Sequence, residues 1–76
     1  MIKTLSEQEI KIIAKEDAMG CMFAVDKLHE LRPEVPEYYK LSKQYHDNED
    51  ATQEAFWGIL ESYGVDLDNY FALREE

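Results

Sequence analysis

The stretch Ser6–Leu31, SEQEIKIIAKEDAMGCMFAVDKLHEL, decides the fold. At about 100° per residue, Ile10, Ala14, Ala18, Cys21, Val25 and Leu28 fall on one face. That spacing predicts a helix over about 6–31. Its start is marked twice, because Thr4 and Ser6 each have a glutamate three residues on (Glu7 and Glu9) and either can close a capping box. Asp17 lands near the middle of the apolar face, and Gly20 follows. A kink or break at Asp17–Gly20 is therefore the alternative to one continuous helix.

The same logic extends outward. Pro33 and Pro36 interrupt the chain, and Pro36 suits the first turn of a second helix over 36–46. Tyr38, Leu41 and Tyr45 line one face of it. Asp47-Asn48-Glu49-Asp50 makes a poor helix interior but a good helix start, where acids complement the dipole. A third helix over 50–63 presents Ala55, Phe56, Ile59, Leu60 and Tyr63 on one side. Gly64 fits its C-terminal cap. Asp66 caps a last helix over 66–74, faced by Leu67, Tyr70 and Phe71, with Val65 placed to staple against Tyr70. Alternatively 36–63 runs as one helix, with Asn48 and Thr52 in its stripe. β-Branched residues never alternate over a strand length. The reading is all-α: a single acidic domain over 1–76, a small bundle of three to four helices packed antiparallel where loops are short.

Composition narrows the class. Apolar residues make up 45% of the 76, enough for a globular core and too many for a disordered chain. No run of about 18 apolar residues exists to cross a membrane. The N-terminal Met1–Glu7 lacks the apolar stretch of a secretory signal. Cys21, the one cysteine, can form neither an internal disulfide nor a cysteine-based zinc site. These features point to a reducing, cytoplasmic setting, with Cys21 as a small buried hydrophobe.

The net charge of −9 is unevenly placed. Residues 1–43 hold eight acids and seven bases, whereas residues 44–76 hold nine acids against Arg74 alone. Nucleic acid and anionic lipid would be repelled, and a basic protein partner would be attracted. The bases Lys3, Lys11, Lys15, Lys27, Arg32, Lys40 and Lys43 are diluted by acids on the same helices, so no basic stripe emerges.

No Gly-x-Ser-x-Gly, phosphate loop or His-Glu-x-x-His is present, so the chain reads as a non-enzyme without a cofactor. Asp47–Asp50 and Asp66–Asn69 resemble fragments of calcium loops, but both lack the central glycine and the twelfth-position glutamate. Asp26 and His29 share a metal-ligand spacing without further ligands to complete a set. His29 and His46 are expected at the surface or rim, and no metal is expected.

The surface is more informative. Ile12, Met19 and Phe23 lie away from the main stripe of the first helix, with Met22 between the two. Central packing in the bundle is the preferred reading, and a contact surface is the alternative. Trp57 falls outside the apolar face of its helix, among Asp50, Glu54 and Glu61. An aromatic among carboxylates suits recognition of a basic, partly apolar surface. Against this, the last helix could fold over Trp57 through Tyr70 or Phe71. Tyr39 is a rim candidate beside Tyr38.

The expected interface therefore comprises Trp57, Asp47, Glu49, Asp50, Glu54, Glu61, Tyr39, Phe23 and Met19. The function this implies is a small acidic protein-binding module, an inhibitor or regulator that occludes a basic surface of its partner. One version is a nucleic-acid mimic directed at a nucleic-acid-binding protein, as in the small inhibitors of phages and mobile elements, by analogy of class alone. The other reading is a self-associating structural or regulatory domain that buries the spare apolar surface of its first helix in a homodimer.

Overall fold

Ser6 sets the first helix. Its Oγ accepts from the Glu9 amide at 3.2 Å, and the Glu9 carboxylate accepts from the Ser6 amide at 2.9 Å. Of the two capping boxes open to the sequence, Ser6–Glu9 is the one formed. The computed structural model describes residues 4–75, so Lys3 and Glu76 lie outside the described residues. Five helices are seen there and no strand: α1 (Glu7–Met19), α2 (Cys21–Leu31), α3 (Tyr38–Gln44), α4 (Glu49–Ser62) and α5 (Leu67–Arg74). The all-α class holds, and the count exceeds the expected three to four.

The extra helix comes from Gly20. The predicted helix over 6–31 is two, because Gly20 takes φ 151° and ψ 147°, a conformation essentially confined to glycine. The chain turns there and α2 packs back against α1. Ala18, placed on the core stripe by a continuous wheel, is exposed, and Ile13, outside that stripe, is buried; Asp17 is buried on the face where the wheel puts it. The next join is equally definite. His46 and Asp47 both adopt φ 57°, and the Asp47 amide donates to the Ser42 carbonyl at 2.9 Å. Two successive left-handed residues end α3, so 36–63 is not one helix. Asn48 then caps α4, accepting from the Ala51 amide at 3.1 Å.

Pro36 precedes α3 rather than opening it. The first turn of α3 is capped from a neighbour: Asp26 on α2 accepts from the Tyr38 amide at 2.9 Å. At the far end, Gly64 (φ 80°) reverses the chain after α4, and the Val65 amide donates to the Leu60 carbonyl at 3.1 Å. Asp66 caps α5 through the Asp68 amide at 3.1 Å, and Val65 and Tyr70 are both buried, as a hydrophobic staple requires.

Each helix packs on the next in sequence, and α5 returns to close on α1. The resulting body measures 31 × 31 × 19 Å. Its short axis corresponds to two helix layers of about 10 Å each. Ile13, Val25, Leu28, Phe56, Leu60 and Tyr70 are fully buried between them. A bidentate pair joins the start of α1 to the end of α2, with Arg32 reaching the Glu9 carboxylate at 2.9 and 3.0 Å. That guanidinium, together with the Ser6 amide, holds the Glu9 carboxyl below its ordinary range.

Candidate functional site

The Gly20 turn leaves apolar side chains outside. Met19 is 66% exposed, and Met22 and Phe23 are each 47% exposed. Central packing of Met19 and Phe23 is thus not what the chain does, and Ile12, at 36%, is also at the surface. The physical reason is the turn itself. A continuous helix would present two apolar faces to one bundle, whereas the turn points the residues flanking Gly20 away from the α1–α2 contact.

These side chains form one wall of a cleft. Met19, Met22 and Phe23 with Gly20 and Cys21 meet Tyr38 of α3 and the first turns of α4, namely Glu49, Asp50 and Gln53, around about 350 Å³. Gly20 is in close contact with Phe23: a Cβ on residue 20 would sit 3.4 Å from the phenyl Cδ2. Phe23 therefore lies over the turn that exposes it. Glu49 and Asp50 occupy the first turn of α4, where the dipole favours them, and both remain exposed. The cleft combines two thioethers, a phenyl ring and a phenol with two carboxylates at its edge.

Its thiol and its phenol are kept neutral. Burial, then the charges of Asp17 and Glu49, push the Cys21 thiol up to about 11. A thiol so placed is protonated at neutral pH and is a poor nucleophile. Burial, and then the Glu49 charge, likewise raise the Tyr38 phenol above its ordinary value.

Of the residues expected at an interface, the cleft brings together Met19, Phe23, Glu49 and Asp50. Asp47 stands at the α3–α4 turn, 3.5 Å from the Ser42 hydroxyl. Tyr39 is 55% exposed on α3, outside the cleft. Glu54 and Glu61 are exposed on α4 and do not line it. Trp57 is part-buried, and its indole meets Phe71 of α5 edge-on, with centroids 5.1 Å apart and planes at 76°. The buried Nε1 lacks a hydrogen-bond partner among the described residues. The last helix thus covers Trp57 through Phe71. Met22, Cys21, Tyr38 and Gln53 complete the cleft; Cys21 and Tyr38 carry the periodic signal of core stripes and Met22 lies between two apolar faces, but nothing in the sequence joins them in one site.

The motif fragments that resembled metal ligands have structural partners. Asn48 and Asp66 cap helices, and Asp26 caps α3 from α2. The His29 Nδ1 lies 2.5 Å from the Val35 carbonyl, which can only accept, so Nδ1 carries the proton. Among the described residues no group of three potential metal ligands comes together. No described helix is long and apolar enough to cross a membrane. Comparison with protein-family models, curated proteins and solved structures finds no match.

Proposed function

We propose that this chain is a small acidic protein-binding module that takes a basic, amphipathic segment of a partner protein into the cleft at Met19, Met22 and Phe23. It acts as an inhibitor or regulator by occluding that segment. The observation that carries the reading is the exposure of two methionines and a phenylalanine beside Glu49 and Asp50. Thioethers adapt to irregular apolar surfaces, and methionine and aromatic residues are enriched at interface cores. The carboxylates steer a cationic partner and fix its orientation. The net charge of −9 extends that attraction beyond the cleft.

A nucleic-acid mimic needs spaced carboxylates and leaves the thioethers and phenyl ring without a role, so a protein segment with one apolar face is favoured. A homodimer through the same cleft is the second reading, in which a two-fold contact buries the exposed methionines and Phe23 against a second copy.

The test is titration with a fluorescent amphipathic peptide of leucine and lysine, beside a peptide of the same composition shuffled to abolish its apolar face. The amphipathic peptide is expected to bind at physiological salt and to weaken as salt rises. Equal binding of the shuffled peptide would show that charge alone is recognised and would refute the cleft. Sedimentation of the protein alone as a dimer at micromolar concentration would favour the homodimer instead.

A further inference from the structure

A second cleft lies on the α1–α5 side, and its charge is opposite to that of the molecule. Lys11, Lys15 and Arg74 surround about 460 Å³ together with Ala18 and Leu73. Lys11 and Leu73 also line a neighbouring hollow of about 220 Å³, together with Glu7, Ile10 and Asn69. The larger volume alone falls within the range of small-molecule sites.

In a chain of 17 acids and 8 bases, most cations should find a carboxylate. Among the described residues the ion pairs are Lys27–Glu30, Arg32–Glu9 and Arg74–Asp17. Lys11 and Lys15, one turn apart on α1, form no ion pair among the described residues, and both line this cleft. Arg74 faces them from α5 and is held in place. Its guanidinium lies 3.7 Å from the Asp17 carboxylate and 5.0 Å from the Phe71 ring centroid. An arginine positioned by a buried acid and an aromatic face loses little freedom when it meets a ligand.

We infer that this cleft binds a small organic phosphate, with the phosphate at Lys11, Lys15 and Arg74 and an apolar body against Ile10 and Leu73. The charges decide the class. With Asp17 behind Arg74 and Glu7 in the adjoining hollow, three cations still converge on the larger cleft, where the three oxygens of a phosphate monoester dianion can meet all of them and a single carboxylate cannot. Glu7, at the far end of the hollow, disfavours a second anionic group there and so fixes the direction of the ligand. The site is separate from the methionine cleft and does not depend on what that cleft binds.

The experiment is an NMR titration of the isotope-labelled protein with phenyl phosphate, inorganic phosphate and benzoate. Phenyl phosphate is expected to give saturable shifts centred on Lys11, Lys15, Leu73 and Arg74, and to bind more tightly than either of the others. The double variant K11Q/K15Q, at two exposed positions, should weaken it about tenfold, the loss expected from two charge contacts. The control K40Q/K43Q removes two exposed lysines elsewhere and should leave it unchanged. Uniform shifts without saturation, equal loss in the control, or benzoate binding as tightly as phenyl phosphate would each overturn the assignment.

Discussion

Asp17 and Phe23 are six residues apart and exchange the places their chemistry suggests. Asp17 is 8% exposed, whereas Phe23 is 47% exposed and Met19, between them, is 66% exposed. The carboxylate is inside because its partners come with it. Tyr70 on α5 donates its hydroxyl proton to Asp17 at 2.5 Å, and Arg74 stands 3.7 Å away. The apolar residues are outside because Gly20 turns the chain between α1 and α2. Burial in this molecule therefore follows satisfaction and geometry rather than hydropathy alone. The α1–α5 seam is a polar lock that stabilises the fold, and the α1–α2 turn is an apolar surface that the fold leaves free.

The largest effect should come from breaking the lock. Asp17→Ala leaves the buried Tyr70 hydroxyl without an acceptor and Arg74 without its anion, for a loss of about 3 kcal/mol. In a domain of this size that lowers the melting temperature by more than about 10 °C, readable by circular dichroism. A change of only one or two degrees would mean that the seam is held by packing alone.

Next is the turn. Gly20→Ala forces a side chain to φ 151° beside the Phe23 ring and should cost about 1–3 kcal/mol. Unlike Asp17→Ala, it should also disturb the methionine cleft, so chemical shifts at Met19, Met22 and Phe23 should move with the stability. Full stability in this variant would show that another backbone conformation serves the turn equally well.

A smaller effect is alkaline. The Cys21 thiol is raised from 9.0 to about 11, and the Tyr70 phenol is raised further by burial and by its hydrogen bond to Asp17. Groups whose folded values are raised stabilise the fold below their ordinary values and lose that contribution as pH climbs through the raised ones. Melting temperature should therefore fall from about pH 9 upward, and Cys21→Ala should flatten the part between about 9 and 11. An unaltered profile in the variant would remove Cys21 from the account.

The sequence exposes the local devices and conceals the long-range ones. Ser6, Gly64 and Asp66 are legible because a cap is decided within four residues of itself. Gly20 is legible as a doubt, but the choice between kink and full turn depends on α2 and α5 both packing on α1. The partner that lets Asp17 be buried, Tyr70, is 53 residues away. Trp57 shows the same limit. A helical wheel places it among carboxylates, and only the reversal at Gly64 brings Phe71 against its ring. The cleft draws on α1, α2, α3 and α4, so Tyr38 and Gln53 carry no periodic signal that would join them to Met19.

The central claim, that the apolar side chains around Gly20 bind rather than support the fold, is tested most directly by the double variant M19A/F23A. Its affinity for the amphipathic leucine–lysine peptide should be read alongside its melting temperature. The melting temperature is expected within about 3 °C of the parent, since exposed side chains contribute little to stability. Peptide binding is expected to weaken at least about tenfold, as for interface anchors. Unchanged affinity, or a loss of affinity that merely follows a collapse in melting temperature, would contradict the claim.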